Sequence, residues 1–205
     1  MPISINYKAI FVHIPKTGGR SVNSMLKLRQ HQDVTRSYFG VELGLVLTHL
    51  TISQIKSRMD IGEYYVFAFV RNPYTRILSE YNWRMRNRTA FEEPTGKMMS
   101  FGAYCELLLS KWHQLMNNPN RSNVEITNIQ HIRPQGDYVD GDVDIYRHED
   151  FINECLKIQD RIGMTRKPVP MLNVGKYKTV HTPRTIEITN ALYEYDFELF
   201  NYKMI

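Results

Sequence analysis

No apolar stretch of this chain is long enough to cross a bilayer: its longest runs, such as Tyr64 to Val70 (YYVFAFV), fall far short of a membrane-spanning helix. Met1 to Lys8 lacks the basic-then-apolar order of a signal peptide, so a soluble, cytoplasmic protein with no integral membrane segment is expected. Cysteine is scarce. Cys105 and Cys155 stand too far apart for a metal-type spacing, and two cysteines make no disulfide framework; both read as buried thiols in a reducing compartment. A dense Lys/Arg stripe with interleaved aromatics is also missing. The nearest approach, RMRNR at Arg84 to Arg88, reads as a solvated helix end, so nucleic acid is not an expected partner. Internal repeats and low-complexity runs are absent too.

What is present fits one domain over residues 1–205, with 42% hydrophobic content to build a core. The net charge of +5 is unevenly spread. Residues 1–60 carry 8 basic and 3 acidic side chains, 61–120 carry 7 and 5, and 121–205 carry 11 and 13. The basic excess therefore sits in the amino-terminal third.

Strand-like and helix-like segments alternate. Lys8 to Ile14 (KAIFVHI) is a nearly continuous apolar run suited to a buried parallel strand, followed by a glycine turn and an amphipathic stretch from Gly19 to about Arg29. A second strand is predicted around LVLTHLT, ending near Thr48 and His49, with Thr51 or Ser53 capping a short helix through Met59. The strongest strand signal is Tyr64 to Val70, after which Asn72-Pro73 supplies an N-cap and a first-turn proline for a helix to about Met85. Asn87 to Met99 reads as a mobile loop, Ser100 to Met116 as a helix, Asp142 to Tyr146 as a strand feeding a helix to Ile162, and Pro183 as the opening of a final helix. This alternation predicts an α/β fold of three layers, with a mostly parallel central sheet flanked by helices.

In such sheets ligands sit at the carboxyl ends of strands, where loops lead into helix N-termini. Pro15-Lys16-Thr17-Gly18-Gly19-Arg20-Ser21 occupies that position. Its glycines permit turns that converge main-chain N–H groups, and Lys16, Thr17, Arg20 and Ser21 add charge and hydroxyls, which suits an anion. A nucleoside-triphosphate P-loop has the spacing G-x-x-x-x-G-K-[ST], and here the lysine precedes the glycines. The acidic residue that would help hold magnesium at the end of a neighbouring strand is replaced by Arg71. Arg71 with Ser79 is typed to grip a second anion, so a ligand with two separated anionic groups and no metal is expected.

HIPKTGGRS at His13 to Ser21 and FVRNPYTRILSEY at Phe69 to Tyr81 resemble the two signature motifs of sulfotransferases that use 3′-phosphoadenosine 5′-phosphosulfate (PAPS), in particular the carbohydrate branch. PQGDYV (Pro134 to Val139), DVDIYRHEDF (Asp142 to Phe151), PMLNVGKYK (Pro170 to Lys178) and YDFELFNY (Tyr195 to Tyr202) resemble the carboxyl-terminal half of that branch, though Gly175 stands where similar proteins often have serine. The resemblance implies a P-loop-like fold. It also implies that Lys16, Thr17, Gly18, Gly19, Arg20 and Ser21 hold the 5′-phosphosulfate, that Arg71 and Ser79 hold the 3′-phosphate, and that Lys176 and Tyr177 close over the nucleotide.

Sulfuryl transfer needs a cation at the departing phosphate oxygen and a base for the acceptor proton. Lys16 is the expected cation and His49 the expected base, with a small-molecule or glycan acceptor; His131, His148 and His181 have weaker claims. His13 reads as a hydrogen-bonded structural residue and Glu80 as a helix-surface ion-pair partner. Two other classes compete: a P-loop kinase or nucleotide hydrolase with a degenerate loop, and a non-catalytic basic module binding nucleic acid or a sulfated polymer.

Overall fold

The computed structural model describes residues 2–28, 41–42, 45–87, 99–117, 127–141, 143–172 and 179–205. In chain order the elements are β1 (Ile3–Ser4), β2 (Ala9–Val12), α1 (Gly19–Met25), β3 (Val41–Glu42), β4 (Leu45–Val46), a 3₁₀ turn (Leu47–His49) and α2 (Ile52–Lys56). β5 (Tyr65–Val70), α3 (Pro73–Asn87), α4 (Phe101–Met116), α5 (Thr127–Ile132), a 3₁₀ turn (Gly136–Tyr138), β6 (Asp144–Arg147), a 3₁₀ turn (His148–Asp150), α6 (Phe151–Arg161) and α7 (Pro183–Leu199) follow.

The central sheet has four strands in the order β1-β2-β5-β6. β2, β5 and β6 run parallel, while β1 pairs antiparallel with β2, so the sheet is mixed. The run LVLTHLT departs from expectation. Its strand portion is β4, which among the described residues pairs with β3 in a separate two-stranded sheet, and the chain then tightens into the 3₁₀ turn that ends at His49. Short β1 and the six-residue α5 carried no usable periodicity in the sequence, because neither spans enough residues to show one.

Alternation along β2 and β5 explains the layering. Ile10 and Val12 of β2 and Val66, Ala68 and Val70 of β5 face one way, into a core with Leu47, Leu50, Ile52, Ile55 and Phe200. Ala9, Phe11, Phe67 and Phe69 face the other way and pack on Val22 and Met25 of α1 and on Phe151, Cys155 and Ile158 of α6. Helices therefore cover both faces. A third apolar cluster joins α3, α4 and α7 through Tyr74, Ile77, Tyr81, Tyr104, Leu192 and Phe197. Both cysteines are buried and free, and burial pushes each thiol up to about 12.

Helix starts follow side-chain capping. Thr51 and Gln54 form a capping box at α2, Ser100 accepts from the Ala103 N–H at α4, and the Asn72 side chain accepts from the Tyr74 N–H beside Pro73. Thr182 caps α7 ahead of Pro183. α1 is the exception. Gly18 precedes it at φ 94 with no side-chain cap, so the first-turn N–H groups of α1 have no capping side chain. No helix among the described residues is long and apolar enough to cross a membrane.

Candidate active site

The site forms where the carboxyl ends of the parallel strands β2 and β5 lie side by side. After Val12, which pairs with Ala68, the chain leaves β2 through His13 and enters the loop Pro15 to Gly18; β5 ends at Val70 and hands over to Arg71. Two arginines set the loop's orientation. Arg76 of α3, almost fully buried, donates from Nε to the Pro15 carbonyl at 3.2 Å, and Arg71 donates to the Lys16 carbonyl at 3.3 Å. In a trans peptide the C=O and the next N–H point opposite ways, so these contacts turn the N–H groups of Lys16 and Thr17 away from the arginines.

The two glycines are required for different reasons. Gly18 sits in the left-handed region at φ 94, and a Cβ there would come within 2.6 Å of the Phe151 ring. Gly19 is the close-approach position: a Cβ would fall 1.8 Å from His13 Nε2. Lys16 itself adopts φ 72, an uncommon conformation for a lysine, which occurs here at the tip of the turn.

Lys16 reaches across to α3, where its ammonium lies 5.3 Å from the Trp83 ring centroid. Burial lowers its pKa to about 8, against the pull of Glu80 and with the cations Arg86, Arg71 and Arg84 adding to the shift. Among the described residues its Nζ has no carboxylate in contact. The Thr17 hydroxyl donates to the Ile14 carbonyl at 2.9 Å, and the Ser21 hydroxyl oxygen accepts from the Leu172 N–H at 3.0 Å, while Arg20 stands exposed at the start of α1. The Thr17 hydroxyl hydrogen is thus committed to the main chain, whereas Ser21 only accepts in its bond with Leu172.

Arg71 is held by a network that sequence reasoning missed. The Gln135 side chain accepts from the Arg71 N–H at 2.8 Å and donates to the Arg71 carbonyl at 2.9 Å, so both main-chain groups of Arg71 are clamped. Asp196 of α7, fully buried, accepts from the main-chain N–H groups of Gln135 and Gly136, each at 2.9 Å. PQGDYV was visible as a motif, but nothing in one chain pairs its glutamine with a strand end far earlier. Next to Arg71, the Asn72 N–H donates to Glu149, whose other oxygen accepts from the Tyr202 hydroxyl. Ser79 is buried on α3, beyond Arg71.

His49 comes to the same rim. Its Nδ1 lies 3.0 Å from the His13 carbonyl oxygen, and since a carbonyl only accepts, Nδ1 carries the hydrogen and Nε2 the lone pair of the neutral ring. Burial and the neighbouring His13, His131 and Lys16 hold the imidazole well below its usual range, so it is neutral near pH 7. His13 is buried with Nδ1 lacking a hydrogen-bond partner among the described residues, and burial lowers it to about 3. It packs against Gly19 as the structural residue expected, its Nδ1 unpaired among the described residues.

Glu80 also departs from its surface reading. It is buried, with one oxygen 2.7 Å from Arg84 Nε and the other 2.9 Å from His131 Nδ1. His148 lies on the Arg71 side of the rim, lowered to about 4 by burial and by Arg71, whereas His181 docks on the Tyr74 carbonyl at 2.9 Å. Lys176, Tyr177 and Gly175, and most of the Asn87 to Met99 segment, lie outside the described residues. Among the described residues no group of three or more His, Cys, Asp or Glu side chains is arranged to hold a metal ion. A shallow polar hollow lined by Glu63, Tyr65, Asp144 and Arg161 lies at the opposite, amino-terminal end of β5.

The model of the Sulfotransferase family matches residues 2–203. The chain belongs to the sulfotransferase family. No curated protein and no solved structure matches it. The family match supports sulfuryl transfer as the general activity and spans both the Lys16 loop and the Gln135–Asp196 network that clamps Arg71. Sulfotransferases of this kind generally draw on PAPS.

Proposed function

We propose that this sulfotransferase moves a sulfuryl group from PAPS to a hydroxyl of a carbohydrate or glycosylated small molecule, without a metal and on a P-loop-like frame. The observation that carries the reading is the pairing of two cationic positions on adjacent strand ends. Arg71 donates to the main chain of the very loop that bears Lys16. A donor with a phosphosulfate at one end and a 3′-phosphate at the other matches two such positions; the loop N–H groups, Arg20 and Ser21 take the first, and Arg71 with Ser79 takes the second.

The acceptor oxygen attacks sulfur in line with the bond to the donor phosphate. As the new S–O bond forms, the old one breaks and its electron pair stays on the phosphate oxygen, where the Lys16 ammonium offsets the charge. His49 Nε2 takes the acceptor proton, its Nδ1–H already committed to the His13 carbonyl. Lys176 and Tyr177 complete the nucleotide side in this reading.

Calorimetric titration with adenosine 3′,5′-bisphosphate, beside AMP and ATP with magnesium at one fixed salt concentration, tests the proposal. Preference for the bisphosphate without metal is expected, and Arg71→Ala weakens it. Equal binding of AMP and the bisphosphate removes Arg71 and Ser79 from the 3′-phosphate role, and preference for ATP with magnesium overturns the donor assignment.

A further inference from the structure

Three imidazoles meet beside the loop. His13 and His49 have ring centroids 4.6 Å apart, and His49 and His131 lie 5.2 Å apart edge to face. The proposed transfer uses only His49. His131, at the end of α5, is built in with unusual care for a bystander. Its main-chain carbonyl accepts from Arg76, the residue that also holds Pro15, and its neighbour Gln130 donates from the side chain to the His49 carbonyl at 3.2 Å. The Gln130 carbonyl in turn accepts from the buried Tyr138 hydroxyl. The relative placement of His49 and His131 is therefore set from both sides.

The two rings differ in what stands behind them. His49 Nδ1–H faces a neutral carbonyl, whereas His131 Nδ1 lies 2.9 Å from the buried Glu80 carboxylate. An ionised carboxylate only accepts, so His131 also holds its hydrogen on Nδ1. When His49 takes a proton from the acceptor, a positive charge forms in a half-buried position already bordered by Lys16 and His13. A cation there without a nearby anion is costly. Among the described groups facing this cluster from β2, the loop, α5 and α3, namely His13, Lys16, His131, Glu80 and Arg84, only Glu80 is negative.

We propose that His131 and Glu80 are a positioning pair for the base, the His131 ring bridging His49 to the Glu80 carboxylate so that the imidazolium formed during transfer is held. The inference rests on the sulfuryl-transfer reading of the site. No proton moves on His131: the acceptor hydrogen passes to His49 Nε2, the sulfuryl group passes to the acceptor oxygen, and Nδ1–H of His131 stays bonded to Glu80 throughout.

The test uses the full chain with labelled PAPS, following donor turnover with water as the acceptor, alongside calorimetry with adenosine 3′,5′-bisphosphate. His131→Phe is expected to lower kcat at least tenfold while KM for the donor and bisphosphate affinity stay within twofold of wild type. His131→Gln, which can still donate to Glu80, falls between the two. Glu80→Gln moves the acidic limb of the kcat/KM profile to lower pH, because loss of the carboxylate makes the imidazolium easier to deprotonate. If burial with Arg84 makes Glu80→Gln misfold, the partly exposed His131 variants carry the test alone. Turnover of His131→Phe within twofold of wild type overturns the pair. A wild type that binds no adenosine 3′,5′-bisphosphate defeats the transfer reading itself and takes the pair with it.

Discussion

Lys16 is asked to be a cation at the departing phosphate, and its surroundings set the pH range in which it is one. With burial lowering its pKa to about 8, kcat/KM is expected to fall as pH rises through about 8, where the free enzyme loses the ammonium. Lys16→Arg removes that alkaline limb, since guanidinium stays charged; Lys16→Ala lowers transfer by about a hundredfold or more and lowers the melting temperature slightly, as the half-buried side chain gives up its contact with Trp83. Rate measurements from pH 6 to 10 check both. His13 contributes to the loss of stability in acid, beside His49 and His148, whose imidazoles burial also holds low. Its folded pKa of about 3 lies below the unfolded value of 6.5, so between those values the unfolded chain binds more protons and stability falls as pH drops. Acidification from pH 7 to 4 is expected to cost about 3 kcal/mol from this residue alone, at ~1.4 kcal/mol per pH unit, read by urea unfolding at both pH values. Lys16 was legible in the sequence because a lysine beside paired glycines after an apolar strand is a local pattern. Trp83, Glu80 and His131 were not, because they reach the same place from α3 and α5.

At the scale of elements, β2, the loop and α1 form a unit in which each glycine answers to a different neighbour. Gly19→Ala drives a methyl into the His13 ring and is expected to cost about 3 kcal/mol or more together with bisphosphate binding. Gly102 in the first turn of α4 has nothing among the described residues within 4 Å of the Cβ position, so Gly102→Ala should stabilise by up to about 1 kcal/mol and leave binding alone. Thermal unfolding with and without bisphosphate distinguishes the two. Element starts were readable wherever a side chain does the capping, as at Thr51, Asn72, Ser100 and Thr182. The run around His49 misled because its apolar residues suit a strand, yet among the described residues β4 pairs with β3 outside the central sheet and the next residues tighten into a 3₁₀ turn.

Across the whole molecule, the position of Arg71 depends on a chain of contacts from α7 to the end of β5. Asp196 holds the main chain of Gln135 and Gly136, and Gln135 clamps Arg71. Gln135→Ala strands buried polar groups at both ends and is expected to cost about 3 kcal/mol of stability. It should also weaken bisphosphate binding about tenfold while leaving AMP binding less affected, as the 3′-phosphate position loses its support. Parallel calorimetry on the two nucleotides reads the difference. The sequence by itself determined the α/β class, the glycine turn at Lys16 to Ser21 between a buried strand and a helix, and the arginine at the end of the next parallel strand, because strand periodicity, glycine placement and capping act within a few residues. Only the tertiary structure decided that β1 makes the sheet mixed, that Glu80 is buried between His131 and Arg84, and that Gln135 and Asp196 stand behind Arg71. Those are relations between segments far apart in the chain, fixed by which strand ends and helices pack together, and no local pattern carries them.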